Sequence, residues 1–159
     1  MTAMAQALPL SAQPDVYVFD DNHAPQELAR IADERGFTLF YLDGDLAPNE
    51  DAFLRNVAVA MSFPDYYGEN WNALDECVQD LSWVSAGGYV LLYDGFERFA
   101  RTNPDAWAIA LDVCRTAVES WQDEGIPMYV LLRGDAAAAP ELPTLRLSTA
   151  LAAPGVPPA

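Results

Sequence analysis

The sequence predicts an α/β fold: a small parallel sheet of three strands, four if the run at residues 16–19 joins it, flanked by helices. Short β-rich apolar runs alternate with longer stretches of helical period. Strands separated by helices pair in parallel through right-handed crossovers. The 159 residues suit one domain that buries roughly 70% of its unfolded surface, with no need of a metal or disulfide.

Residues 16–19 are a short apolar run, read as an extra strand. Residues 25–35 read as a helix with Leu28, Ile31 and Ala32 on one side, closed by Gly36. Residues 37–42 are apolar and β-rich, as a strand buried on both faces should be. Asp43-Gly44-Asp45 turns the chain. Residues 50–61 form a second helix, with Phe53, Leu54, Val57 and Met61 as its core stripe. Gly87-Gly88 precedes a strand at residues 89–93, and residues 95–100 suggest a short helix. Residues 105–123 are a long amphipathic helix whose core face is Trp107, Ala110, Leu111, Cys114, Ala117, Val118 and Trp121. Gly125 ends it, and residues 128–132 are the last strand.

Residues 1–14 carry little pattern and are expected to be disordered. Residues 15–134 are read as a single domain, with 15–36 as an N-terminal extension. Residues 135–159 are an Ala/Pro-rich tail, expected to be loosely held, although residues 144–147 have the composition of a stray edge strand.

The segment Pro64-Asp65-Tyr66-Tyr67-Gly68-Glu69-Asn70-Trp71-Asn72-Ala73-Leu74-Asp75-Glu76 is the most informative of the chain. Asn70 is a good N-cap, because its side chain can accept from an unpaired amide of the first turn. At 100° per residue, Ala73, Leu74, Cys77, Val78 and Leu81 fall on one side of a helix. Asn72, Asp75, Glu76, Gln79 and Asp80 fall on the other, with three carboxylates and no cation. Two tyrosines, a residue type that anchors interfaces at low entropic cost, stand just before it.

This segment resembles the barstar family, the intracellular inhibitors of barnase-type ribonucleases. The matching string is Pro64 to Asn70, then Ala73-Leu74 and Cys77. Residues 37–44, 89–93, 105–125 and 127–132 extend the likeness, so it covers roughly residues 37–134. In that family the loop and the helix plug the nuclease active site, and a helix carboxylate replaces a substrate phosphate. Carried over, Tyr66, Tyr67, Gly68 and Asn70 keep their identities. Asn72 stands where the family has an aspartate and Asp75 where it has a tryptophan. Glu76 takes the place of the dominant carboxylate, one methylene longer. A further acid of the last long helix aligns with Ser120, with Glu119 beside it.

The resemblance implies inhibition by occlusion. Glu76 would accept bonds from the Arg, Lys and His groups of a ribonuclease cleft. Asp75 and Asp80 would add field, and Tyr66 and Tyr67 would pack against the rim or stack where a base lies. Gly68 would let the backbone approach closely. Gln79 and Trp83 complete the expected partner-binding set; Trp71, Trp107 and Trp121 lie on helix core faces and are read as packing residues, and for Trp83, just after the acidic helix, a core place is weighed above the rim. The alternative is a barstar-fold immunity or adaptor protein with a non-nuclease partner, which the changes at Asn72, Asp75 and Ser120 would suit.

Composition agrees with a cationic partner. The net charge is −16, from 24 acids against eight arginines and no lysine, which repels nucleic acid. Cys77 and Cys114 lie on apolar helix faces and are read as buried free thiols. Residues 1–13 make a poor signal peptide, and no stretch approaches the roughly 20 apolar residues of a membrane span. A cytoplasmic protein, monomeric when free, is expected.

Residues with the chemistry of catalysis lack its context. His23 is alone near a loop and is read as solvent-facing, with no partner at zinc-ligand spacing. No serine sits in a nucleophile elbow. Gly87-Gly88 is too short for a phosphate loop, and Asp43 and Asp45 are too few for calcium. Asp75 and Glu76 diverge by about 100° and do not face each other across a substrate. The expectation is a binding protein, not an enzyme, with no cofactor and no metal.

Overall fold

The structure is a computed structural model in which residues 12–146 are described. In chain order it contains β1 (Val16–Phe19), α1 (Pro25–Glu34), β2 (Phe37–Asp43), α2 (Glu50–Met61), α3 (Trp71–Asp80) and β3 (Gly88–Asp94). Then follow α4 (Glu97–Thr102), α5 (Pro104–Asp123), β4 (Met128–Arg133) and β5 (Thr144–Leu145). The strands form one parallel sheet in the order β2-β3-β4-β1-β5.

The α/β class and the parallel pairing agree with the sequence, but the sheet has five strands where three or four were expected. The run at Val16 is an interior strand, paired with β4 through Val16↔Val130 and with β5 through Val18↔Thr144. All four of its residues are buried. Without it the backbone groups along one side of the apolar β4 would lack partners. Conversely β2, expected to be buried on both faces, is an edge strand with Tyr41 exposed.

The described residues at either end of the domain, 12–14 and 135–146, make specific contacts with it. Residues 12–14 are placed, and the Ala12 carbonyl accepts from the Tyr129 hydroxyl at 2.8 Å; residues 1–11 lie outside the described residues. Within the expected loose tail, Asp135 caps a single 3₁₀ turn at Ala136–Ala138 and Ala139 and Leu142 are buried. The edge strand stops at Leu145, and residues 147–159 again lie outside the described residues.

The order of strands places the helices. From β1 the chain crosses to the far edge at β2, then returns through β3 to β4. Right-handed crossovers in opposite directions must run over opposite faces. Accordingly Leu28 and Ile31 of α1 cover Tyr17, Phe19, Val90, Leu92, Tyr129 and Leu131. The other face packs α2, α3 and α5 on Tyr89, Leu91, Tyr93 and Val130. Phe53, Phe99 and Trp107 form an aromatic group there, with Phe53–Phe99 centroids 5.1 Å apart.

The carboxyl ends of the strands are tied by charge. Arg133, with a side chain only 14% exposed, donates to both oxygens of Asp94 at 3.1 and 3.0 Å. Its Nη1 donates to the His23 carbonyl at 2.7 Å and lies 3.5 Å from Asp21 Oδ1. Asp21 in turn orients His23, whose Nδ1 is 2.7 Å away, so this histidine is half-buried and not free in solvent. The exit from β1 is thereby fastened to β3 and β4. Nearby, the backbones of Gly44 and Gly95 approach so closely that a Cβ on Gly44 would overlap the Gly95 carbonyl.

Arg133→Ala leaves Asp94 and Asp21 without their counter-charge in half-buried surroundings. It should destabilise the fold by about 2–3 kcal/mol, read as a lower urea midpoint with an unchanged slope.

Candidate partner-binding face

The acidic helix forms where the sequence places it. Asn70 Oδ1 accepts from the Ala73 amide at 2.8 Å, which caps α3. Leu74, Cys77, Val78 and Leu81 are buried, each contributing about 2 kcal/mol by removal from water. The Trp121 indole of α5 donates to the Val78 carbonyl at 2.8 Å and fixes the helix against its neighbour. Burial, followed by the nearby Asp80 and Glu76 carboxylates, raises the Cys77 thiol. Burial pushes Cys114 up to about 12. Both cysteines are free.

The outward face is narrower than the helical arithmetic suggests. Asn72, Glu76 and Asp80, four residues apart in turn, are exposed. Asp75 and Gln79 are half-buried, and Gln79 Nε2 donates to Asp75 Oδ1 at 2.8 Å. The Asp75 carboxylate is therefore partly satisfied within the helix. Glu76 has no hydrogen-bond or ion-pair partner among the described residues.

The two tyrosines differ in what they do. Tyr66 is 70% exposed, and its hydroxyl reaches Asp80 Oδ2 at 3.3 Å. Tyr67 turns inward: its hydroxyl donates to the Leu54 carbonyl at 2.8 Å, and its ring meets Phe63 edge-on at 4.9 Å. It braces the loop and presents little surface to a partner. Trp83 is half-buried, with its indole on the Met61 carbonyl at 3.0 Å and its ring edge-on to Phe63. The phenol of Tyr67 is pushed well above its ordinary range, first by burial and then by Glu69.

Gly68 is not in the left-handed region; Glu69 is, at φ 53°. A Cβ on Gly68 would come 3.1 Å from Asn70 Nδ2, which itself donates to the Gly68 carbonyl at 3.3 Å. The glycine makes room for the cap. Sequence reasoning passed over Glu69 and also Glu50, whose Oε2 accepts from the Trp71 indole at 2.7 Å. Only the left-handed backbone at 69 and a contact 21 residues distant reveal them.

Among the described residues no group of three His, Cys, Asp or Glu side chains is arranged to hold a metal. No helix among them is long and apolar enough to cross a membrane. Open clefts at the sheet's carboxyl end are lined by Asp20, Asp21, His23, Glu27, Arg133 and Arg146, and the loop after β1 has no glycine.

Removing the Tyr67 hydroxyl should cost about 1 kcal/mol at neutral pH. Folded Tyr67 keeps its proton to higher pH than the unfolded chain does. Its contribution is thus complete below about pH 10 and lost as pH rises beyond it. Thermal unfolding between pH 9 and 11 should show a shallower decline for Tyr67→Phe than for the parent.

The barstar family model, described as barnase inhibitor, matches residues 37–133, from β2 to the end of β4. No curated protein matches the chain significantly. Among solved structures, the Aeropyrum pernix ORC2 protein in its ADP form has a TM-score of 0.54 at 16% identity, covering 86% of this chain and 43% of that one. Its ADPNP–ADP complexes give a TM-score of 0.52 at 15% identity, covering 92% and 45%. The chain spans less than half the length of those structures, and at such identity the likeness is one of fold alone. With its family match running from β2 to β4 and enclosing α3 and the loop before it, this chain belongs to the barstar family.

Proposed function

We propose that the chain inhibits a barnase-type ribonuclease by occlusion, with the exposed face of α3 and the loop before it seated in the catalytic cleft. The single observation that carries this reading is Glu76: an exposed carboxylate without a partner of its own, on a helix with no cation, beside the outward ring of Tyr66. A cleft that holds phosphate offers cationic donors, and Glu76 would accept from them. Asn72 and Asp80 flank it on the same exposed row. The acidic surface would steer encounter with a cationic enzyme.

The same reading makes this a binding protein without turnover or cofactor, acting in the cytoplasm as a monomer until its target appears. Two free thiols suit a reducing compartment. A barstar-fold adaptor with a non-nuclease partner is the second reading. It is favoured by Asp75, which occupies a family tryptophan position and bonds Gln79 within the helix.

The test is calorimetry of the chain with a barnase-type ribonuclease. Glu76→Ala should weaken binding by about 2–5 kcal/mol, since it strips the partner's buried cations of their acceptor. Association should slow as salt is added. Equal affinity for parent and variant removes Glu76 from the interface, and binding only to non-nuclease partners selects the second reading.

A further inference from the structure

We propose that Glu50 is a positioning residue for the partner-binding face, acting through Trp71; this rests on the occlusion reading above. The loop between α2 and α3 runs back along α2 and is tied to it twice. The Tyr67 hydroxyl donates to the Leu54 carbonyl at 2.8 Å, and the Trp71 indole donates to Glu50 Oε2 at 2.7 Å. Glu50 and Leu54 are four apart on one helix, and Tyr67 and Trp71 are four apart in sequence, so the ties span one helical turn.

Glu50 is itself held. It opens α2, where a carboxylate is favoured by the helix dipole, and its amide donates to Asn103 Oδ1 at 3.0 Å. Asn103 also supplies the carbonyl that accepts from the Trp107 amide at the start of α5. The Trp71 ring rests on Phe53, with centroids 6.0 Å apart. A continuous chain of contacts thus joins the starts of α5, α2 and α3. Trp71 is the first residue of α3 and follows the cap Asn70 directly.

The bond to Trp71 is short, charge-assisted and partly shielded from water, and so stronger than a neutral or fully exposed one. Between its two ties the loop carries Glu69 in a left-handed conformation that a non-glycine residue seldom adopts, and such a conformation persists only where the surroundings hold it. Glu50 therefore holds the loop and the first turn of α3, and with them Tyr66 and Asn72, in the direction in which they are presented beside Glu76. An interface arranged in advance pays less ordering entropy when it binds. The effect should appear in dissociation, whereas a distant charge that only steers acts on association.

The test compares the full-length parent with Glu50→Ala and Glu50→Gln. Against a barnase-type ribonuclease, Glu50→Ala should dissociate about tenfold faster. Association should change less than about twofold, one charge in many having been removed. Glu50→Gln, whose amide oxygen still accepts from the indole, should restore slow dissociation. Slower association in both variants with unchanged dissociation would show that Glu50 only steers, and would overturn the proposal. Amide hydrogen exchange of residues 65–72 in the free proteins provides a second readout. It should quicken in Glu50→Ala and not in Glu50→Gln, and unchanged exchange in Glu50→Ala would also overturn it. Should the ribonuclease fail to bind the parent, the occlusion reading falls alone and exchange still decides the role of Glu50. Should Glu50→Ala fail to fold, Trp71→Phe removes the donor, leaves an aromatic ring against Phe53 and is expected to give the same faster exchange.

Discussion

The burial of one side of α3 is the constraint on which the rest depends. Leu74, Cys77, Val78 and Leu81 enter the core, and the Trp121 indole binds the Val78 carbonyl. A helix held along one stripe has no freedom to turn, so its opposite row must face solvent. That row is Asn72, Glu76 and Asp80. The charge of the candidate site is thus a consequence of apolar packing behind it. Two bonds to α2 then set the start of the helix and the loop before it.

The sheet gives this arrangement a rigid base. The family match begins at β2, yet β1 lies inside the sheet and α1 covers a face of its own. Arg133 binds both halves, reaching Asp94 at the end of β3 and the Asp21–His23 loop after β1. The N-terminal extension is therefore built into the sheet and its cover, and Tyr129 and Tyr17 fasten the residues just before it through the Ala12 and Gln13 carbonyls.

Patterns within one element were legible in the sequence. The period of α2 and α5, the Asn70 cap and the two-sided character of α3 rest on residues three or four apart, which a helix necessarily brings together. Long-range pairings were not. β5 has two residues, too few to show any alternation, and only its pairing with β1 makes it a strand. Tyr66 and Tyr67 read alike in sequence, and the Leu54 carbonyl distinguishes them. Asp75 carries the same charge as Glu76, but Gln79 has engaged it. The sign and place of the face could be read; which of its groups are free depends on neighbours that the chain brings near only on folding.

Steady-state cleavage of a short RNA by a barnase-type ribonuclease, at rising concentrations of this protein, tests the central claim most directly. Occlusion of the cleft predicts competitive inhibition: the apparent KM rises with inhibitor and kcat at saturating RNA stays constant. Onset of inhibition that saturating RNA, present before the protein is added, does not slow, or cleavage that ignores the protein at any concentration, would contradict it.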